Sequence, residues 1–140
     1  MRFFSLFLAF TLVIAPAVAR AQLQPSDPSG LWRCVMNSNV VSIDLQMQVY
    51  GNQTLQHQGS IVYVQTGRIF NVRGGGRWLL SPPDQSSNQY QFGFQMHPAE
   101  GNHAIFSIFA RPTGDPNFLN NRFQEPQGGS IVETACQRIG

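Results

Sequence analysis

The run Arg73-Gly74-Gly75-Gly76-Arg77 sets three glycines between two guanidinium groups, with Arg68 a little upstream. A phosphate cradle would need such glycines to lead into a helix N-terminus, with lysine and a hydroxyl residue following. Here Trp78-Leu79-Leu80 follows and reads as strand, and the chain contains no lysine. The run therefore reads as a hairpin tip or a sharp barrel bend, where glycine takes φ > 0 without strain. Arg68, Arg73 and Arg77 would then gather near one loop, and Arg73 and Arg77 are candidates for receiving an acidic partner.

His97 and His103 lie symmetrically about residues 98–102. A hairpin there would turn the two imidazoles toward each other, with Glu100 at the tip. Zinc asks for at least three protein ligands, and His57 is distant in sequence, so no metal or cofactor is expected. There is no Gly-x-Ser-x-Gly elbow. The seven acidic residues are scattered, and Asp44 falls on the polar face of its segment. Nothing here calls for catalysis, and a non-enzymatic protein is expected.

The two cysteines, Cys34 and Cys136, are not in a C-x-x-C pair and flank nearly the whole mature chain. A single positive charge at Arg2 precedes an apolar run from Phe3 to Ala15, then a proline and small residues. That is the layout of a secretory signal peptide over residues 1–21, cleaved after Ala19 or Ala21. The run is shorter than the ~20 residues of a spanning helix, so the mature chain is expected without a membrane span. Export and an even cysteine count predict a Cys34–Cys136 disulfide in a periplasmic or secreted protein. The signal layout and plain composition suit a bacterial source, where the Asn52-Gln53-Thr54 sequon would have no role.

Loss of Arg2 and Arg20 with the leader leaves seven arginines against seven acids. The mature chain is close to neutral and lacks the basic footprint of a nucleic-acid or anionic-membrane binder. Its 119 residues suit one domain. Residues 22–29 read as a flexible arm, and 30–140 as the folded domain.

The elements that must position these residues have period 2. Val41, Ile43, Leu45, Met47 and Val49 alternate with polar residues, as do Tyr90, Phe92, Phe94 and Met96, each the mark of a half-buried strand. From His103 to Arg111 both faces are apolar, which predicts a more central strand or one covered on its outer side. Gly51-Asn52 suits a tight hairpin with glycine at the first central position. Gly67, Ser81-Pro82-Pro83-Asp84 and residues 98–102 are further breaks. Eight strands are predicted, near 31–36, 40–50, 54–65, 68–73, 77–81, 89–97, 103–111 and 130–139. Residues 112–129 are left as a long connection in which Asp115-Pro116 could cap a short helical turn.

Eight short strands joined by turns predict an all-β domain: an antiparallel up-and-down barrel, with a β-sandwich as the alternative. In a closed barrel the first and last strands are neighbours, which would bring Cys34 to Cys136.

Gly30-Leu31-Trp32 at the first strand resembles the Gly-x-Trp that opens lipocalins and related small barrels. The resemblance implies that Trp32 plugs one barrel end, that Arg138 packs across it, and that the function is carriage of a small apolar ligand. The family's Thr-Asp-Tyr signature is missing. The chain also resembles small periplasmic lysozyme inhibitors in tying an early strand to the last by sulfur. The glycine run lacks the serine of their inhibitory loop, so no site carries over.

Phe92, Phe94 and Phe106 would line the inner face, and Phe118 and Phe123 would form an apolar lid within 112–129. These five are the candidate ligand-binding residues of an exported binding barrel. The alternative is a protein-interaction module, such as an enzyme inhibitor or envelope accessory protein, using Arg73 and Arg77 or the 112–129 segment.

Overall fold

The computed structural model describes residues 27–81, 90–124 and 131–140, with backbone alone at 121–124 and 131–134. The predicted signal peptide and residues 22–26 of the arm lie outside the described residues. Eight antiparallel strands follow one another in chain order and close into a barrel. They are β1 (Gly30–Asn37), β2 (Val41–Val49), β3 (Thr54–Tyr63), β4 (Arg68–Ser81), β5 (Gln91–Glu100), β6 (Phe106–Pro112), β7 (Phe118–Gln124) and β8 (Ile131–Arg138). No helix occurs among the described residues.

Closure follows from the alternation. Every second residue of β2, from Val41 to Val49, is at most 2% exposed, and these meet Trp32, Phe92, Phe94, Met96, Phe106 and Ile108 in one core. Burying an aliphatic or aromatic side chain of this size contributes roughly 1.5–3 kcal/mol, so a one-residue slip in any strand would forfeit the whole inward set. The seam between β1 and β8 pairs Cys34 directly opposite Cys136, and the predicted disulfide joins them with Cα atoms 4.0 Å apart.

The strand count matches the expectation, but two elements do not. Segments 68–73 and 77–81 are one continuous strand, β4, which runs straight through the glycines. The eighth strand is instead β7, inside the 112–129 segment read as a connection with a helical turn. It is held on both sides, by β6 and by β8. At the β2–β3 turn the left-handed residue is Gln53 (φ 66°), not Gly51, with the Gln53 N–H donating to the Tyr50 carbonyl at 3.2 Å.

The continuity of β4 explains its glycines. Gly74 and Gly76 lie on the inward face between Val72 and Trp78, and a bulge at Arg73/Gly74 draws β4 tightly against β5. A Cβ at Gly74 would collide with the His97 carbonyl, and one at Gly76 with the Gln95 carbonyl. A Cβ at Gly75, on the outward face, would meet nothing closer than 3.7 Å. Gly76→Ala should therefore cost about 1–3 kcal/mol by overpacking, whereas Gly75→Ala should stay within about 0.5 kcal/mol of the parent. Urea unfolding of the two variants checks this; equal losses would contradict it.

One barrel end is closed by indole and guanidinium. Trp32, 1% exposed, donates its Nε1–H to the Pro28 carbonyl at 2.7 Å. The Arg138 guanidinium lies over its ring, 4.5 Å from the centroid, and donates to the Ser29 carbonyl. Beside it, Trp78 donates to the Tyr50 carbonyl at 2.7 Å and meets Phe92 edge-on. Ser29 donates to the Asp27 carboxylate through its hydroxyl at 2.6 Å and its N–H at 2.8 Å. That bonding, with Arg138 nearby, holds the Asp27 carboxyl below the usual carboxylate range.

Candidate functional site

Three of the five predicted ligand-binding residues come together inside the barrel. Phe92, Phe94 and Phe106 are at most 3% exposed and belong to the packed core. Phe118 is 37% exposed and lies in register with Gln137, out of phase with the buried Leu119 and Cys136, so it faces outward. Phe123 pairs in register with Ile108 and Val132, and its side chain lies outside the described residues. Around the barrel's middle, Leu45, Met47, Ile61, Phe94, Met96 and Ile108 have zero exposure. A void wide enough for water would expose its own lining, so none touches these six. At the Trp32 end a cavity of only about 20 Å³ lies between Pro28, Phe92, Leu119 and Arg138. That is room for a single water.

The far end is filled by rings. Tyr63 stacks on His103 at 6.0 Å, and Phe70 and Phe106 meet the same imidazole edge-on at 4.9 and 5.3 Å. His103 Nδ1 lies 2.7 Å from the Ala104 carbonyl, which can only accept. Nδ1 therefore carries the proton, and Nε2 accepts from the Tyr63 hydroxyl at 2.9 Å. The expected facing of His97 and His103 does not occur. β5 continues through His97 to Glu100, the turn falls later, and His97 bonds Gln95 at 2.9 Å. Among the described residues no three of His, Cys, Asp or Glu are grouped to hold a metal ion.

His57, weighed from the sequence only as a distant third metal ligand, is the one buried ionisable side chain among the described residues. It faces inward on β3, opposite Met47 and Gly74, with its ring 5.9 Å from Phe106. Neither ring nitrogen has a well-formed hydrogen bond. Burial pushes its pKa down to about 4, with the Gly75 backbone opposing in part and nearby His97 adding to the depression. The alternation Leu55, His57, Ile61, Tyr63 held the signal for this placement.

Among the described residues, concave surface is found on the outside of the barrel. An open groove of about 600 Å³ crosses β2, β3 and β4 between Asp44, Gln46, Gln58, Ser60, Asn71 and Glu100. A second, of about 310 Å³, adjoins it through Gln46, Gln58 and Arg73 and reaches Gln48, Gln56 and Leu31. Register explains the clustering. Gln46 pairs with Gln58 and Gln58 with Arg73; one row along, Gln48 pairs with Gln56 and Gln56 with Gly75. Side chains on one face of adjacent strands stand about 5 Å apart, so four amides form a patch. Gly59 lets β3 press onto β2 at the groove floor, since a Cβ there would strike the Asp44 carbonyl and the Leu45 backbone.

The groove's charges balance, and Arg33 and Asp44 among them form an ion pair. Arg33 donates to Asp44 at 2.8 and 3.0 Å, which holds the Asp44 carboxyl below the usual carboxylate range and raises Arg33. Arg73 reaches Gln58 at 3.4 Å and is the register partner of Glu100. The arginines expected to gather at a glycine loop are spread along β4 instead, because no loop exists there. Arg68 lies at one end over Phe70, and Arg73 and Arg77 sit four residues apart on the outer face. No family model, curated protein or solved structure matches this chain.

Proposed function

We propose that the protein is an exported, non-enzymatic binding barrel of lipocalin-like build that meets its ligand on the outer face of β2–β4. The observation that carries this reading is an interior packed at zero exposure among the described residues, beside an external polar groove of about 600 Å³. The disulfide is compatible with export to the periplasm or medium. Trp32 opening β1 under the Arg138 guanidinium supports the lipocalin-like comparison. Carriage of an apolar ligand inside the barrel does not fit a middle with zero-exposure side chains.

Nuclear magnetic resonance tests the reading on the purified mature protein. Palmitate, a neutral tetrasaccharide and a tetra-alanine peptide would be titrated while interior methyls and glutamine side-chain amides are observed. The amides of Gln46, Gln48, Gln56 and Gln58 should respond to at least one probe, and the methyls of Leu45 and Ile108 to none. A saturable shift of those methyls with palmitate would overturn the proposal.

A further inference from the structure

Resting on that outer-face reading, we propose that the groove over β2–β4 binds an uncharged oligosaccharide. The first argument is hydrogen-bonding inventory. Gln46, Gln48, Gln56 and Gln58 each offer two donors and an acceptor on one planar group, and Ser60 and Asn71 likewise both donate and accept. A sugar presents adjacent hydroxyls, each also donor and acceptor, so either partner can satisfy the other without a charge. The amides repeat at about 4.8 Å across strands and about 6.8 Å along them. The result is a two-dimensional array suited to a chain of repeating units.

The second argument is charge. The Arg33–Asp44 pair is closed on itself, and Arg73 stands in register with Glu100. Arg33, Arg73, Asp44 and Glu100 sum to zero, so the groove carries no net charge to attract an anionic polymer. The third argument separates sugar from protein. Protein interfaces concentrate their energy in aromatic and arginine anchors; no phenylalanine, tyrosine or tryptophan lines either groove, His57 is 3% exposed with its side chain turned inward, and Arg73 is engaged with Gln58. A closed barrel also has no free strand edge on which an extended peptide could add.

Gly75 supplies a blocking variant that keeps the barrel. Its outward Cβ position is 3.7 Å from the Leu55 carbonyl and 3.8 Å from Gln56 Nε2, both ordinary van der Waals contacts, so Gly75→Phe places a ring over the amide patch. Calorimetry would use the mature protein with cellotetraose, maltotetraose and chitotetraose, and tetragalacturonate as the charged counterpart. At least one neutral tetrasaccharide should bind and shift the four glutamine amides. Its affinity should change less than about twofold with added salt, since no ion pair forms. Gln58→Ala should weaken it about 3–10-fold, the loss of one neutral hydrogen bond. Gly75→Phe should abolish binding with unchanged circular dichroism and urea midpoint.

If no neutral tetrasaccharide shifts these amides at millimolar concentration, the oligosaccharide assignment is wrong. If tetragalacturonate or the peptide alone shifts them, it is also wrong, while the outer-face reading stands. Binding that survives in Gly75→Phe overturns the assignment as well, because the sugar would then sit elsewhere. A response of interior methyls to palmitate sinks both readings together.

Discussion

Replacing Cys34 and Cys136 together by alanine should lower the unfolding free energy by about 4–5 kcal/mol. The bond closes a chain segment with a sequence separation of 102, and the chain-entropy model gives about 4.7 kcal/mol for a loop of that length. The native side of the balance should change little. β1 and β8 remain paired through Trp32–Arg138 and Arg33–Gln137, and the Arg138 guanidinium still covers Trp32. The effect therefore lies in the unfolded chain, which becomes free to expand. Urea unfolding should show a lower midpoint and a steeper dependence on denaturant, as more surface is exposed on unfolding. A loss below about 1 kcal/mol, with an unchanged slope, would mean that the cross-link constrains nothing the strands do not already hold.

Acid should weaken the fold through His57 before it touches any paired carboxylate. In the unfolded chain this histidine titrates near 6.5; in the barrel burial has pushed it down to about 4. Above pH 6.5 both states are neutral and the group contributes no slope. Between 6.5 and 4 only the unfolded state takes the proton, so stability falls by about 1.4 kcal/mol per pH unit. The accumulated loss is on the order of 3 kcal/mol at pH 4 and levels off below it. Asp27 and Asp44 act in a separate window: their lowered pKa values stabilise the fold above the usual carboxylate range and lose that contribution only at lower pH. His57→Leu should flatten the pH 4–6.5 slope and cost little stability at pH 7, since it removes two buried polar atoms that lack a well-formed hydrogen bond. Wild-type and variant curves that stay parallel from pH 7 to 4 would contradict this.

What could be read from the residues alone was mainly the alternation. β2 and β5 announced themselves because the core lies on one face only, and every inward residue had to be apolar. β6 looked apolar on both faces, and the reason is visible: the Phe109 ring lies outside against Gly93, 3.7 Å from where a Cβ would stand. The glycine run misled because three glycines ordinarily break a strand; here Gly74 and Gly76 are required by the approach of β5. β7 escaped notice because Asn120-Asn121-Arg122 has no alternation, and its place is set by neighbours on both sides. These two misreadings left the strand total at eight. The external groove was invisible for a different reason. Gln46, Gln48, Gln56 and Gln58 each read as ordinary solvated positions on separate strands, and only the β2–β3 register makes them neighbours.

Xenon, which enters dry apolar cavities, probes the filled barrel with the least intervention. Methyl spectra of the mature protein under xenon pressure should show no saturable shift at Leu45, Met47, Met96 or Ile108. A saturable shift converging on those four methyls would show a hollow centre and return the ligand site to the inside.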